Sequence, residues 1–158
     1  MDFITAVGLS IGILGGFFTV ASISLGIIPW VASLSWASFY AAGGKFQGLK
    51  DVLITSVVGA LWGYIILQLT GLMEPLLGET IGLGIAIFIG STAICWQSKL
   101  TPLLSFIPGA FVGCAAFFGT DFNLPGTLIA LVCGSVLGYL SELGAIALAK
   151  KEEEKIQI

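Results

Sequence analysis

The chain has 158 residues, 9% of them charged and 57% hydrophobic, with a net charge of −3 and a mean hydropathy of +1.07. A soluble domain carries about 25% charged residues to hydrate its surface, and a chain with so few would expose large apolar patches and aggregate. These figures exclude a soluble globular fold; the small net charge says little about partners, and no nucleic-acid partner is expected.

The expected solvent is the lipid bilayer, and the length accommodates about six spanning helices of ~20 residues. The apolar runs are continuous rather than alternating, which points to helices and not barrel strands. With no water in the bilayer core, each run must close its own backbone hydrogen bonds. The fold class expected is therefore an all-α integral membrane protein.

In chain order, the first segment runs from Phe3 to Leu25. Met1-Asp2-Phe3-Ile4 lacks a basic region and no small-residue cleavage site follows, so it reads as a retained helix rather than a removed signal. Gly8, Gly12 and Gly16 recur every fourth residue along it. That spacing makes a smooth stripe suited to close helix packing, within the subunit or between subunits. The second segment spans Ile28 to Gly44 and bears Ser33, Ser35, Ser38 and Tyr40. The third is Leu49 to Thr70, the fourth Thr80 to Gln97, the fifth Leu103 to Gly119 and the sixth Leu124 to Ala149. Glycine and proline punctuate the breaks: Gly26 with Pro29, Gly43-Gly44, Gly71 with Pro75, Pro102, and Asp121 to Gly126.

There is no arginine, so six lysines carry the whole orientation signal. Six crossings with both termini cytoplasmic place Lys45, Lys50, Lys99, Lys150, Lys151 and Lys155 inside, leaving Glu74, Glu79 and Asp121 outside. Residues 1–149 form a single membrane domain, and 150–158 a short charged cytoplasmic tail.

Segments three and six are similar to each other. Ile54/Ile129, Val57/Val132, Gly59/Gly134, Gly63/Gly138 and Tyr64/Tyr139 are identical pairs, each 75 residues apart (129 minus 54). Ala41/Ala116, Gly44/Gly119, Leu49/Leu124 and Leu53/Leu128 keep the same offset, extending the match without a gap. Repeating a unit of three crossings reverses its direction. The expectation is two inverted three-helix repeats, about 1–74 and 75–149, as in many transporters. Gly59 with Gly63, and Gly134 with Gly138, then let two backbones meet at the centre.

Segments two and five are the short ones (28–44 and 103–119). Each reaches about 26 Å at 1.5 Å per residue, less than the ~30 Å hydrocarbon core. Pro108-Gly109 interrupts the fifth. Short or broken segments at equivalent places in two halves point to a pathway, so Ser35, Ser38, Ser105, Pro108 and Gly109 are candidate lining residues. Glu142 joins them as the one acid late in a spanning segment; it is read mainly as a charge reaching the inner headgroups. Gln68 is read as an interfacial amide. Trp30 and Trp96 fit interface anchors, and Trp36 and Trp62 interior packing.

Histidine is absent, and Cys95, Cys114 and Cys133 lie singly in apolar runs as small hydrophobes. No catalytic residue, metal ligand or cofactor is expected, and the chain reads as a non-enzyme.

Leu104-Ser-Phe-Ile-Pro-Gly-Ala-Phe111, Leu34-Ser-Trp-Ala-Ser-Phe39 and Gly48-Leu-Lys50 resemble the small bacterial inner-membrane proteins typified by YcdZ, a family of unknown function. The resemblance implies a multi-spanning bacterial inner-membrane protein and transfers no site residues. The expected function is passage of a small neutral or weakly polar solute through a passive channel or facilitator, in a homo-oligomer. The alternative is a scaffold or accessory subunit that docks a partner through its glycine faces.

Overall fold

The computed structural model describes the backbone of residues 2–156 and the side chains of residues 2–149. The helices in chain order are α1 (Phe3–Leu25), α2 (Pro29–Ala41), α3 (Lys45–Leu77), α4 (Glu79–Gln97), α5 (Ile107–Gly119) and α6 (Leu124–Ile156). A short 3-10 turn, Pro102–Leu104, precedes α5, and no strand occurs among the described residues. Four stretches are long and apolar enough to cross a membrane: α1, α3, α4 and residues Leu124–Ala149 of α6. The side chains of the charged tail, 150–158, lie outside the described residues.

The two short helices are shorter than the sequence suggests, 13 residues each, or about 20 Å. Both begin at proline. Pro29 is the first residue of α2 and Pro108 the second of α5, positions where the missing N–H costs nothing and the fixed φ favours a helix. Pro108 thus opens its helix instead of interrupting one. Upstream, Thr101 is extended (φ −159°, ψ 145°), as the residue before a proline tends to be. α3 is longer than expected, because Pro75 falls in its last turn, where only one donor is lost. A single residue, Gly78 with φ 80°, then reverses the chain into α4.

α3 and α6 pack against each other at the centre. α5 lies along α3 and α2 along α6, so each short helix packs on the distant long helix rather than on the one that follows it in the chain. α4 flanks α3 and α1 flanks α6, while α1 barely touches α2 and α4 barely touches α5. The core between them consists of Val31 and Ala32 of α2, Ala60 of α3, Ala116 and Phe117 of α5, and Ala130 and Leu131 of α6.

Glycines set these spacings. A Cβ on Gly59 would overlap the backbone of Ala110, one on Gly113 the carbonyl of Ser56, and one on Gly134 the backbone of Ala32. Gly63 and Gly138 make the same kind of room for the rings of Phe117 and Phe39, 2.8 and 2.7 Å from the would-be Cβ. Ala32 and Ala110 therefore hold equivalent packing positions, as do Phe39 and Phe117, 78 residues apart in each case (110 minus 32). The ungapped offset of 75 does not hold for the short helices; their register is displaced by three residues. The turns that follow them keep the wider spacing. Gly43 and Gly44 have positive φ, 90° and 67°, as do Asp121 and Phe122, 78 residues on, at 52° and 64°.

Candidate functional site in the short-helix seams

The seam between α2 and α6 is hydrogen-bonded through its length. Ser35 is fully buried, and its hydroxyl donates to the Leu131 carbonyl at 2.7 Å while lying 2.8 Å from the Ser135 hydroxyl. Ser135 also reaches the Leu131 carbonyl, at 3.0 Å. One turn on, the Trp36 indole N–H donates to Ser141 Oγ at 2.9 Å, and the Tyr40 hydroxyl lies 2.8 Å from the same atom. Ser141 in turn donates to the Gly138 carbonyl at 2.7 Å. Ser38 is buried and bonds back to the Leu34 carbonyl at 2.8 Å. Because Ser35 and Ser135 share one acceptor, Ser35→Ala and Ser135→Ala should each cost about 1 kcal/mol in detergent unfolding. The double variant should cost less than their sum; full additivity would disprove the shared network.

At the end of this seam, Glu142 Oε2 accepts the Lys45 backbone N–H at 2.6 Å. Lys45 is the first residue of α3 and is itself left-handed, with φ 58°. Glu142 therefore caps another helix from across the seam.

The seam between α5 and α3 is built from smaller groups. A Cβ on Gly109 would overlap Thr55 Oγ1, and Phe106 lies 2.8 Å from it. Ser105 is exposed and bonds to the Pro102 carbonyl at 2.7 Å, and Pro108 is exposed at the start of α5. Gln97 was legible in the sequence only as the last residue of a segment. It is 6% exposed, and its Oε1 accepts the Trp62 indole N–H at 2.9 Å. Its Nε2, like the hydroxyl of buried Ser56, has no partner among the described residues. Gln68 is exposed. Trp30 and Trp96 are 44% and 65% exposed and Trp36 only 7%, which separates outward-facing rings from packed ones.

Where α1 and α2 diverge, a crevice of about 490 Å³ opens between Ile11, Gly15, Ser33, Trp36, Ala37 and Tyr40. A second, of about 280 Å³, lies between α3, α4 and α5 and is edged by Thr70, Glu79, Phe118 and Phe122. The first is lined by α1 and α2 alone, and the second lies beside the later part of α3. Gly8, Gly12 and Gly16 on α1 have nothing within 4 Å of a would-be Cβ. The three cysteines are free thiols, and no cluster of potential metal ligands exists among the described residues.

Residues 8–146 match the family described as "Protein of unknown function (DUF1097)". The chain is 31% identical to the inner membrane protein YcdZ of Salmonella typhimurium, with 98% of this chain and 94% of that protein covered. It is 30% identical to YcdZ of Escherichia coli K12, covering 96% and 91%. It is also 29% identical to the uncharacterized protein YahC of the same strain, covering 95% of each. No solved structure matches. Apolar helices of spanning length and full-length similarity to inner membrane proteins mark a multi-pass inner-membrane protein, and the chain belongs to the DUF1097 family.

Proposed function

We propose that this protein is a passive facilitator for a small neutral or weakly polar solute, built from two inverted three-helix halves with both termini cytoplasmic. Six crossings, two of them by the short helices, complete the topology. The observation that carries this is the exchange of the short helices, α2 onto α6 and α5 onto α3, each started by a proline and each beside a crevice. Short elements at matching places in two halves are the arrangement around which transporters build a solute site. Lys45, Lys50 and Lys99 share the end of the bundle where α3 begins and α4 stops, which supports that end as cytoplasmic.

Ser35, Ser38, Ser105, Pro108, Gly109 and Glu142 lie in or at the ends of the two seams. Since Ser35 is hydrogen-bonded across the closed α2–α6 seam and Ser38 is buried with its hydroxyl turned back to Leu34, a solute meets them only when that seam opens. With neither histidine nor an acid at mid-membrane depth, the chain offers little for proton coupling, and a non-enzymatic role follows from the same residues. Copies assemble through the open glycine face of α1, where the close packing seen at Gly59 and Gly134 has no counterpart.

Purified protein in liposomes should speed the entry of small neutral solutes measured by stopped-flow light scattering. Ala37→Leu, which narrows the α1–α2 crevice at an exposed position, should lower the rate severalfold. Rates equal to those of empty liposomes would refute the facilitator. The open face of α1 also favours a second reading, a scaffold that docks another membrane protein there. A stoichiometric hetero-complex without flux would select it.

A further inference from the structure

The α1–α2 crevice has a hydrogen-bond polarity that follows from counting protons. Ser141 owns one hydroxyl hydrogen and, at 2.7 Å, donates it to the Gly138 carbonyl. Ser141 Oγ must then act as acceptor toward both of its other neighbours, the Trp36 indole N–H and the Tyr40 hydroxyl. Every contact in the cluster is satisfied only in that arrangement. Tyr40 therefore spends its own hydrogen on Ser141 and keeps its oxygen lone pairs for another donor. The Trp36 N–H is likewise occupied, and the Ser33 hydroxyl is turned to the Pro29 carbonyl at 3.0 Å. Of the polar groups around the crevice, the Tyr40 and Ser33 oxygens are thus left as acceptors, and Tyr40 is the one anchored to the Trp36–Ser141 cluster. Its other walls are apolar: Ile11, Ala37 and the Trp36 ring, whose tip comes 4.0 Å from a would-be Cβ on Gly15. Glu142, next to Ser141 in the chain, adds negative charge at the same end and disfavours anions.

We infer that the α1–α2 crevice is a binding site for a small neutral amphiphile carrying one O–H or N–H donor, which it gives to Tyr40. The site rests on the facilitator above for its biological use, since it names the class of solute that the facilitator would accept. The crevice volume of about 490 Å³ falls in the range of small-molecule pockets, roughly 300–1,000 Å³. A ligand there keeps a donor group matched in a low-dielectric setting where an unmatched one is costly.

The test uses benzyl alcohol and benzyl methyl ether, which share a ring and differ in the donor. Binding is followed by the 15N–1H resonance of the Trp36 indole in the full chain in detergent, assigned with Trp36→Phe. The wild type should prefer the alcohol to the ether by about tenfold more than Tyr40→Phe does; comparing proteins cancels the different partitioning of the two ligands into micelles. Ala37→Leu should weaken both ligands while leaving the Tyr40–Ser141 contact alone, which keeps the idea testable if Tyr40→Phe fails to fold. Equal preference in wild type and Tyr40→Phe, or no saturable shift of Trp36, would overturn it. Liposome flux separates the two claims: saturable, donor-selective binding without flux upholds the site and refutes the facilitator, whereas flux without donor selectivity does the reverse.

Discussion

Gly134→Ala should destabilise the folded protein by about 2 kcal/mol, and Gly134→Leu should abolish it. The cause is the absence of room. A Cβ at this position would overlap the backbone of Ala32, and backbone cannot swing aside as a long side chain can. α2 would have to lift off α6, breaking the Ser35 and Trp36 hydrogen bonds as it moved. Gly59→Ala should behave alike, since Ala110 backbone fills the matching place on α5. Thermal unfolding followed by fluorescence-detected size exclusion measures both. Gly12→Ala is the control: with nothing within 4 Å, it should change monomer stability by less than about 0.5 kcal/mol. If assembly runs through α1, Gly12→Leu should shift the oligomer to smaller species without lowering the unfolding temperature. A Gly134→Ala protein as stable as the wild type would show that the helices are not in backbone contact.

Glu142→Ala should cost about 1–2 kcal/mol, through loss of a charge-assisted cap on an exposed helix-start amide. The Lys45 N–H is the first amide of α3, where the helix dipole favours a carboxylate. The turn before it is three successive residues at positive φ, Gly43, Gly44 and Lys45 (90°, 67° and 58°), which Glu142 tethers from outside. Glu142→Gln retains an acceptor oxygen and should lose less, about 1 kcal/mol. Gly44→Ala should be damaging in its own right, because its Cβ would come 2.6 Å from Glu142 Oε1 on a backbone that favours glycine. Hydrogen exchange at Lys45 reports the contact directly. Unchanged protection in Glu142→Ala would remove the capping role, whatever the global stability did.

Glu142 illustrates how little of its role was readable from the chain. As a lone acid about two turns before Lys150, it looks like a side chain reaching for headgroups. Its acceptor position against Lys45 depends on α6 lying beside the α2–α3 turn, a contact between residues 97 apart in sequence. Gln97 and Trp62 make the same point. Neither sits in a motif, and Gln68 carries the more conspicuous position, yet Gln68 is exposed and Gln97 is the buried partner of the indole.

What the sequence settled alone is what lipid as a solvent imposes: helices throughout, their number and rough limits, and the glycines on which long helices rely for close contact. Those follow from local rules, because an apolar run must satisfy its own backbone whatever surrounds it. Tertiary structure decided which helix fills each glycine groove and, with it, the register of the short helices. Periodicity places Gly59 and Gly134 on a face but carries no information about who faces them. The partners, Ala110 and Ala32, hold a spacing of 78 where the long helices hold 75. Packing of backbone against backbone selects that register, and no pattern within a single helix encodes it.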